Sequence, residues 1–237
     1  MKTTLGQAAR TSMVRGVICC ALLLLPTLAL AHNVSQRDAG YVQSIDGVAV
    51  APFMYLGAKH MFTGYDHLLF LLGVIFFLYR MKDVVQYVSL FTIGHSVTLL
   101  VGVLADVRAN AYIIDAIIGL SVVYKAFENM GGFERFVGFR PNTRAAVTVF
   151  GLFHGFGLAT KIQELSVSRN GLLTNMLSFN IGVELGQILA LTFILILLGY
   201  WRSRPAFLRH AFAANTVLMA GGFLLAGYQL AGYLQQQ

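Results

Sequence analysis

The chain has 237 residues, of which 57% are hydrophobic and only 11% are charged, and its mean hydropathy is +0.70. A soluble domain carries roughly 25% charged residues, so this composition excludes a water-soluble globule and indicates a membrane protein. The net charge of +7 does not indicate nucleic-acid binding, because the basic residues lie in short loops between apolar stretches.

The first 31 residues are predicted to be a cleaved signal peptide. Basic residues open this segment, an apolar core covers 17–25, and the small residues of 29–31 form a cleavage site. Both cysteines, Cys19 and Cys20, lie in this segment, so the mature chain would have no thiolate ligand. The alternative is an uncleaved anchor helix.

The rest of the sequence predicts an all-α membrane protein with a short polar segment before the membrane domain. Residues 32–58 are predicted to be periplasmic, with Gly40, Gly47 and Pro52 as helix breakers. Residues 59–237 are predicted to form a bundle of about six transmembrane helices, since about 20 apolar residues cross a bilayer. The predicted spans are 62–80, 84–104, 110–127, 143–162, 172–199 and 207–234.

Loop charges predict the orientation of these helices. A cleaved signal peptide places the mature N-terminus in the periplasm of a bacterial cell, with the helices in the inner membrane. Nine basic residues then lie in or beside cytoplasmic loops and five on the outer side, as the positive-inside rule requires. Both mature termini are therefore predicted to be periplasmic.

Several ionisable residues fall in predicted helices, although an aspartate at a helix centre costs about 2.5–3.5 kcal/mol. His95, His154 and Glu184 each lie eleven or twelve residues from the start of a predicted helix. Eleven residues rise about 16 Å, so all three are predicted near the midplane of the bilayer. Four others are predicted nearer the outer surface: His60, Asp66, His67 and Asp115.

Polar and small neighbours support these positions. Ser96 follows His95, and Asn180 shares a helix stripe with Glu184. The glycine pairs at 151/155 and 182/186 predict close approach of helix backbones, which would bring side chains of different helices into one site. Plain packing by the glycines, and interhelical hydrogen bonding by the ionisable residues, are the alternatives.

Histidine nitrogen combined with carboxylate oxygen suits borderline divalent ions such as Ni²⁺, Co²⁺ or Zn²⁺. Histidine also releases its proton near neutral pH, so metal binding and proton movement can be coupled. We expect two groups of ligands. One is an outer capture site, where His67 pairs with His60 or Asp115 and Asp66 attracts the cation or orients a histidine. The other is a midplane group: His95, His154 and Glu184.

Four segments on four predicted helices resemble the HupE/UreJ family. They are the His60-x5-Asp66-His67 motif, Phe153-His154-Gly155, 91–96 (FTIGHS) and 179–187 (FNIGVELGQ). The resemblance covers roughly 55–235. It implies a small permease associated with the supply of nickel, sometimes cobalt, to hydrogenase or urease. By motif match, it implies metal handling at His60, Asp66, His67 and His154.

The leading hypothesis is a secondary transporter for a divalent transition metal, nickel or cobalt first, and not an enzyme. No nucleotide-binding motif is present in the sequence. We expect no permanently bound cofactor, and the expected partners are lipid, the metal ion and metalloenzyme maturation proteins. The alternatives are an intramembrane metal-dependent hydrolase and a non-catalytic protein that delivers metal to a maturation complex.

Overall fold

The structure, a computed structural model, describes residues 36–164 and 167–236. The predicted signal peptide of 1–31 lies outside the described residues. Within the described ranges the chain forms nine helices and no strand. The helices are α1 (Gln36–Ser44), α2 (Val50–Thr63), α3 (Tyr65–Ile75), α4 (Met81–Leu104), α5 (Ala111–Asn129), α6 (Gly132–Phe136), α7 (Thr143–Glu164), α8 (Leu172–Arg202) and α9 (Phe207–Gln235). The prediction of an all-α membrane protein is confirmed.

Four of these helices are long and apolar enough to cross a membrane: α4, α7, α8 and α9. Their bounds agree within a few residues with four of the predicted spans. The predicted span at 110–127 matches α5, which is 19 residues long but carries Asp115, Lys125 and Glu128 and lies outside that group of four. The count of six membrane-spanning helices is therefore not confirmed.

The prediction of one continuous helix over 62–80 is wrong, because the chain breaks at Gly64. The Gly64 backbone is extended, with φ −75° and ψ 94°, and its N–H donates to the His60 carbonyl to close α2. A Cβ at this position would lie 3.0 Å from Nδ1 of His67, so glycine fits where a larger residue would press on the ring. The following helix, α3, has only 11 residues.

The end of α3 is fixed by Arg202, the last residue of α8. Its guanidinium donates to the carbonyl oxygens of Phe76 at 2.7 Å and Leu78 at 2.9 Å, and also to that of Ile75. These carbonyls belong to the last residue of α3 and the turn after it, where no intrahelical donor follows. The short helix is thus tied to a long neighbouring helix.

Residues 32–58 were predicted as a polar segment, but α1 and the first part of α2 lie within it. Pro52 does not break α2, because it occupies the first turn, where its missing N–H has no intrahelical partner. Phe53 and Leu56 are buried, and α2 packs along α8. The Asn175 side chain accepts from Ala49 N–H at 2.7 Å, which joins the start of α2 to α8.

Glycines allow the backbones of α4 and α7 to pack closely against each other. A Cβ at Gly94 would lie 2.6 Å from the Thr148 carbonyl oxygen, and one at Gly155 would overlap the His95 carbonyl and the Thr98 hydroxyl. These contacts pair successive turns of the two helices in the same order, so α4 and α7 run parallel. The predicted backbone approach at the pair 151/155 is confirmed.

The glycine pair 182/186 likewise lets the backbone of α8 approach that of α2. A Cβ at Gly186 would lie 2.6 Å from the Ala58 carbonyl oxygen, and one at Gly182 would overlap the Met54 carbonyl. In the third pair, α5 runs antiparallel to α9, and a Cβ at Gly119 would lie 2.6 Å from Ala226 N. Three closely packed helix pairs therefore build the bundle.

These packing directions give the bundle two ends. At one end α4, α7 and α9 begin, and α3, α5 and α8 end. We call this the basic end, because it holds Arg80, Lys82, Arg135, Arg140, Arg144, Arg202, Arg204 and Arg209. We call the other the opposite end. That the basic end is cytoplasmic stays a prediction.

Candidate metal centre

The break at Gly64 places Asp66 and His67 in the first turn of α3. Both side chains are buried, with 2% and 3% of their surface exposed. The His67 Nδ1 and Asp66 Oδ1 atoms are 3.0 Å apart. A carboxylate that accepts from Nδ1–H orients the ring, as carboxylates do beside metal-binding histidines. The Asp66 charge is also favoured by the N-terminal end of the helix.

His154 approaches the same point from α7. Its Nδ1 lies 2.7 Å from the carbonyl oxygen of Phe150, and its ring centroid lies 4.8 Å from that of His67. Because a carbonyl only accepts, Nδ1 donates this hydrogen bond, and Nε2 is the ring nitrogen that would bind a metal. Asp66, His67 and His154 are all buried, and each offers one ligand atom within 4.8 Å of the other two.

Two further histidines surround this group. The His60 ring, at the end of α2, lies 5.2 Å from the His67 ring centroid, and the His95 ring of α4 lies 5.8 Å from it. His95 is 1% exposed, and neither of its ring nitrogens hydrogen-bonds to another described residue. We call the five residues from four helices the histidine cluster: His60, Asp66, His67, His95 and His154.

The structure joins five of the seven predicted ligands, drawn from both groups, into one cluster that does not include Asp115 or Glu184. His67, expected at an outer capture site, lies beside His154, expected at the midplane. The prediction assumed that a single helix began near the outer surface at about residue 60. Instead α2 runs from Val50 to Thr63 and α3 begins at Tyr65. The end of α2 and the start of α3 therefore place His60 and His67 side by side. That the cluster binds metal stays a prediction.

Glu184 does not join His95 and His154 in the core, so that part of the predicted midplane group is wrong. Glu184 lies midway between Gly182 and Gly186, about 180° from the face that packs on α2. It is exposed and lines an open groove of about 550 Å³ between α4 and α8. A hydrogen bond between Gln187 and Thr92 crosses the same groove.

The three residues predicted to support the site have different positions. Asn180 is 7% exposed, and its side-chain amide has no hydrogen bond within the part of the chain described. Ser96 is half-buried beside His95. Asp115, predicted as a possible partner of His67, forms a buried ion pair with Lys161 of α7.

The sequence analysis missed the aromatic and charged residues that line α7 on either side of His154. Thr143, Phe150, His154 and Lys161 fall within about 40° of one another around the helix. Each of the last three contacts a residue of α3 or α5. Phe150 lies four residues before His154 and Lys161 seven residues after it, a spacing that indicates one shared helix face. A search for metal ligands does not consider these residue types.

A family model for the HupE / UreJ protein matches residues 36–237, which is most of the chain. The chain belongs to the HupE/UreJ family. No curated protein and no solved structure matches it. The four positions at which the family resemblance implies metal handling all lie in the histidine cluster, and His95 is its fifth member. The match also identifies the chain as a membrane protein.

Proposed function

We propose that the protein is a secondary transporter for a divalent transition metal, with nickel or cobalt as the substrate. The observation that carries this proposal is the group formed by Asp66, His67 and His154, whose ligand atoms lie within 4.8 Å of one another in the buried core. Three ionisable side chains this close together on the surface of a soluble protein would mean little. Inside an apolar bundle each one costs free energy unless it has a partner or a ligand.

The donor set favours a borderline ion. Four imidazoles and one carboxylate suit Ni²⁺, Co²⁺ or Zn²⁺ better than Mg²⁺ or Ca²⁺, which prefer oxygen ligands. Cu(I) is disfavoured, because the two cysteines of the chain, Cys19 and Cys20, belong to the predicted signal peptide. Family membership supports nickel or cobalt within this set.

The interrupted helix supports transport rather than permanent storage. Discontinuous helices commonly form substrate sites near the bilayer midplane of transporters. Here α2 and α3 meet at Gly64, and the cluster residues His60 and His67 lie on the two sides of that break. Such a joint lets two halves of a ligand set move relative to each other without unfolding a long helix.

The membrane potential can drive this transport. Moving one charge across 100 mV is worth about 2.3 kcal/mol, so a divalent cation gains about 4.6 kcal/mol. Neither an ATPase nor a resident cofactor is part of the proposal.

Metal uptake into proteoliposomes tests the proposal. Purified protein is reconstituted and given radioactive Ni²⁺ or Co²⁺, with Zn²⁺ and Mn²⁺ as competitors and an imposed negative interior. We expect uptake that His154→Ala abolishes and His210→Ala, at a loop-side position near the start of α9, leaves unchanged. Binding without uptake would favour a metal-delivery accessory protein. Turnover of a lipid or peptide substrate would favour the hydrolase and overturn the transporter.

A further inference from the structure

One turn from the histidine cluster, toward the basic end, lies a layer of three phenylalanines. Phe91 precedes His95 by four residues in α4, and Phe150 precedes His154 by four residues in α7. Phe70 follows His67 by three residues in α3, which runs in the opposite direction. All three are therefore displaced from the cluster in the same direction, by about 5–6 Å. We call them the aromatic layer.

The three rings pack on one another through Phe70. The ring centroid of Phe70 lies 5.3 Å from that of Phe91 and 5.7 Å from that of Phe150. Phe70 and Phe91 are 0% and 1% exposed, and the Phe150 residue is half-buried. Phe70 is thus the central ring, and it is held by the shortest of the helices that carry the cluster.

The aromatic layer also contacts the cluster directly. The His154 ring lies 4.9 Å from Phe91 and 5.3 Å from Phe70, measured between centroids. The base of the metal site, on the side of the basic end, is therefore made of ring carbon. None of the three phenylalanines offers a nitrogen or oxygen ligand in its side chain.

Polar groups resume beyond the layer. Phe150 packs on Tyr124 with 5.1 Å between centroids, and the next residue of α5, Lys125, lies 2.7 Å from Glu128. The other Glu128 oxygen accepts from the hydroxyl of Thr143, at the start of α7. Along the α5–α7 seam, ionisable groups thus lie on both sides of an apolar layer.

A divalent ion cannot cross such a layer while the rings stay packed. The ion would lose its water or imidazole ligands, and this desolvation cost greatly exceeds the attraction of a cation to an aromatic face. Hydrophobic constrictions of this kind close pores by excluding water. The packed rings therefore form a barrier to ions between the cluster and the basic end, where α3, α4 and α7 meet.

We propose that the aromatic layer is the gate of the permeation path on the side of the basic end, and that Phe70 is the ring whose displacement opens it. This inference rests on the proposed transport function. The aromatic layer does not bind the metal; it separates the metal-bearing cluster from the solution at the basic end. A bend of α3 between its joint at Gly64 and the end that Arg202 ties to α8 would carry Phe70 away from Phe91 and Phe150.

Chemical accessibility tests the gate without needing any metal. A single reporter cysteine is introduced by His95→Cys in a chain whose Cys19 and Cys20 are serine, in oriented membrane vesicles. A membrane-impermeant maleimide is then added from the basic end. We expect slow labelling in the parent and roughly tenfold faster labelling with Phe70→Ala, since a tenfold rate corresponds to a modest drop in barrier. Phe70→Leu, which keeps apolar bulk, should give an intermediate rate.

Phe193→Ala is the matched control, because Phe193 is 55% exposed on α8 and contacts only the similarly exposed Phe62 in the aromatic pairs described. It should leave labelling at the parent rate. Equal labelling of parent and Phe70→Ala, in a protein that still elutes as a folded species, would overturn the gate.

Metal flux gives the second readout and separates the two proposals. In a chain with native His95, Phe70→Ala should retain metal binding at the cluster and pass metal faster than the parent. Faster labelling with no flux in any variant would leave the gate standing and reject the transporter. Flux in the parent with no effect of Phe70→Ala on labelling or flux would reject only the gate.

Discussion

The Lys161 ammonium of α7 lies 2.9 Å from Oδ2 of Asp115 in α5. The two side chains are only 14% and 5% exposed, so this is a buried ion pair that joins two helices. It lies toward the opposite end from the histidine cluster, two helical turns beyond His154 on the same face of α7. The pair joins α5 to α7, the helix that carries both His154 of the cluster and Phe150 of the aromatic layer.

Removing one charge of this ion pair should lower the stability of the protein more than removing both charges. Lys161→Met leaves a buried carboxylate uncompensated, and we expect about 3 kcal/mol of lost stability toward unfolding in detergent. The double variant Asp115→Asn, Lys161→Met should recover most of that loss, because no lone charge remains. A double-mutant cycle of unfolding free energies measures this coupling. Strictly additive effects of the two changes would contradict a coupled pair.

Adding a methyl group at Gly155 should separate α4 from α7. The Cβ of Gly155→Ala would overlap the His95 carbonyl and the Thr98 hydroxyl, so the helices must move apart and carry His95 from His154. We expect a loss of about 1–3 kcal/mol in stability, with weaker metal binding. Gly199→Ala is the matched control, because a Cβ there meets no neighbouring atom. Equal effects in thermal unfolding would argue against the tight α4–α7 contact.

Asp66 and Glu184 should differ sharply in their effect on metal affinity. Asp66→Asn removes the carboxylate beside His67, and the loss of such a partner typically weakens metal binding about 10–100-fold. Glu184→Gln should leave affinity unchanged, because Glu184 is exposed in the α4–α8 groove and not in the cluster. Equilibrium dialysis with Ni²⁺ measures both. A loss with Glu184→Gln equal to that with Asp66→Asn would place Glu184 in the binding site after all.

The C-terminus should lie on the periplasmic side of a bacterial inner membrane. The excess of basic residues at one end predicts that this end is cytoplasmic, and α9 ends at the opposite end. Alkaline phosphatase fused after Gln237 should therefore be active, and green fluorescent protein fused at the same place should stay dark. A fluorescent fusion would reverse the predicted orientation.

Hydropathy predicted α4, α7, α8 and α9 well, because long apolar helices are set by composition alone. It failed at 62–80, since a window average ignores the extended backbone at Gly64. Helix depth, from which Glu184 was predicted to join the core, says nothing of the direction a side chain takes. The two glycines flanking Glu184 held that information, because a close-packed face excludes the residue midway between them.

The contact between His67 and His154 was beyond the reach of these patterns. It joins residues 87 positions apart in sequence, on helices whose neighbours are chosen by packing across the whole bundle. The family resemblance was enough to name the four motif-matched positions. Only the folded structure shows that they lie together in one cluster. For His95 the glycine spacing did help, since the close approach of α4 and α7 places the His95 backbone against Gly155, the neighbour of His154.

The pairing of α2 with α8 has a consequence for the order of events during synthesis. A chain leaves the ribosome from its N-terminus, and α2 is made more than 100 residues before the helix against which it packs. Until α8 is inserted, the face of α2 that holds Gly57 lacks the helix that covers it in the folded protein. The complete set of five side chains can therefore assemble only after α8 has emerged, so we predict that chains truncated before Leu172 hold metal poorly.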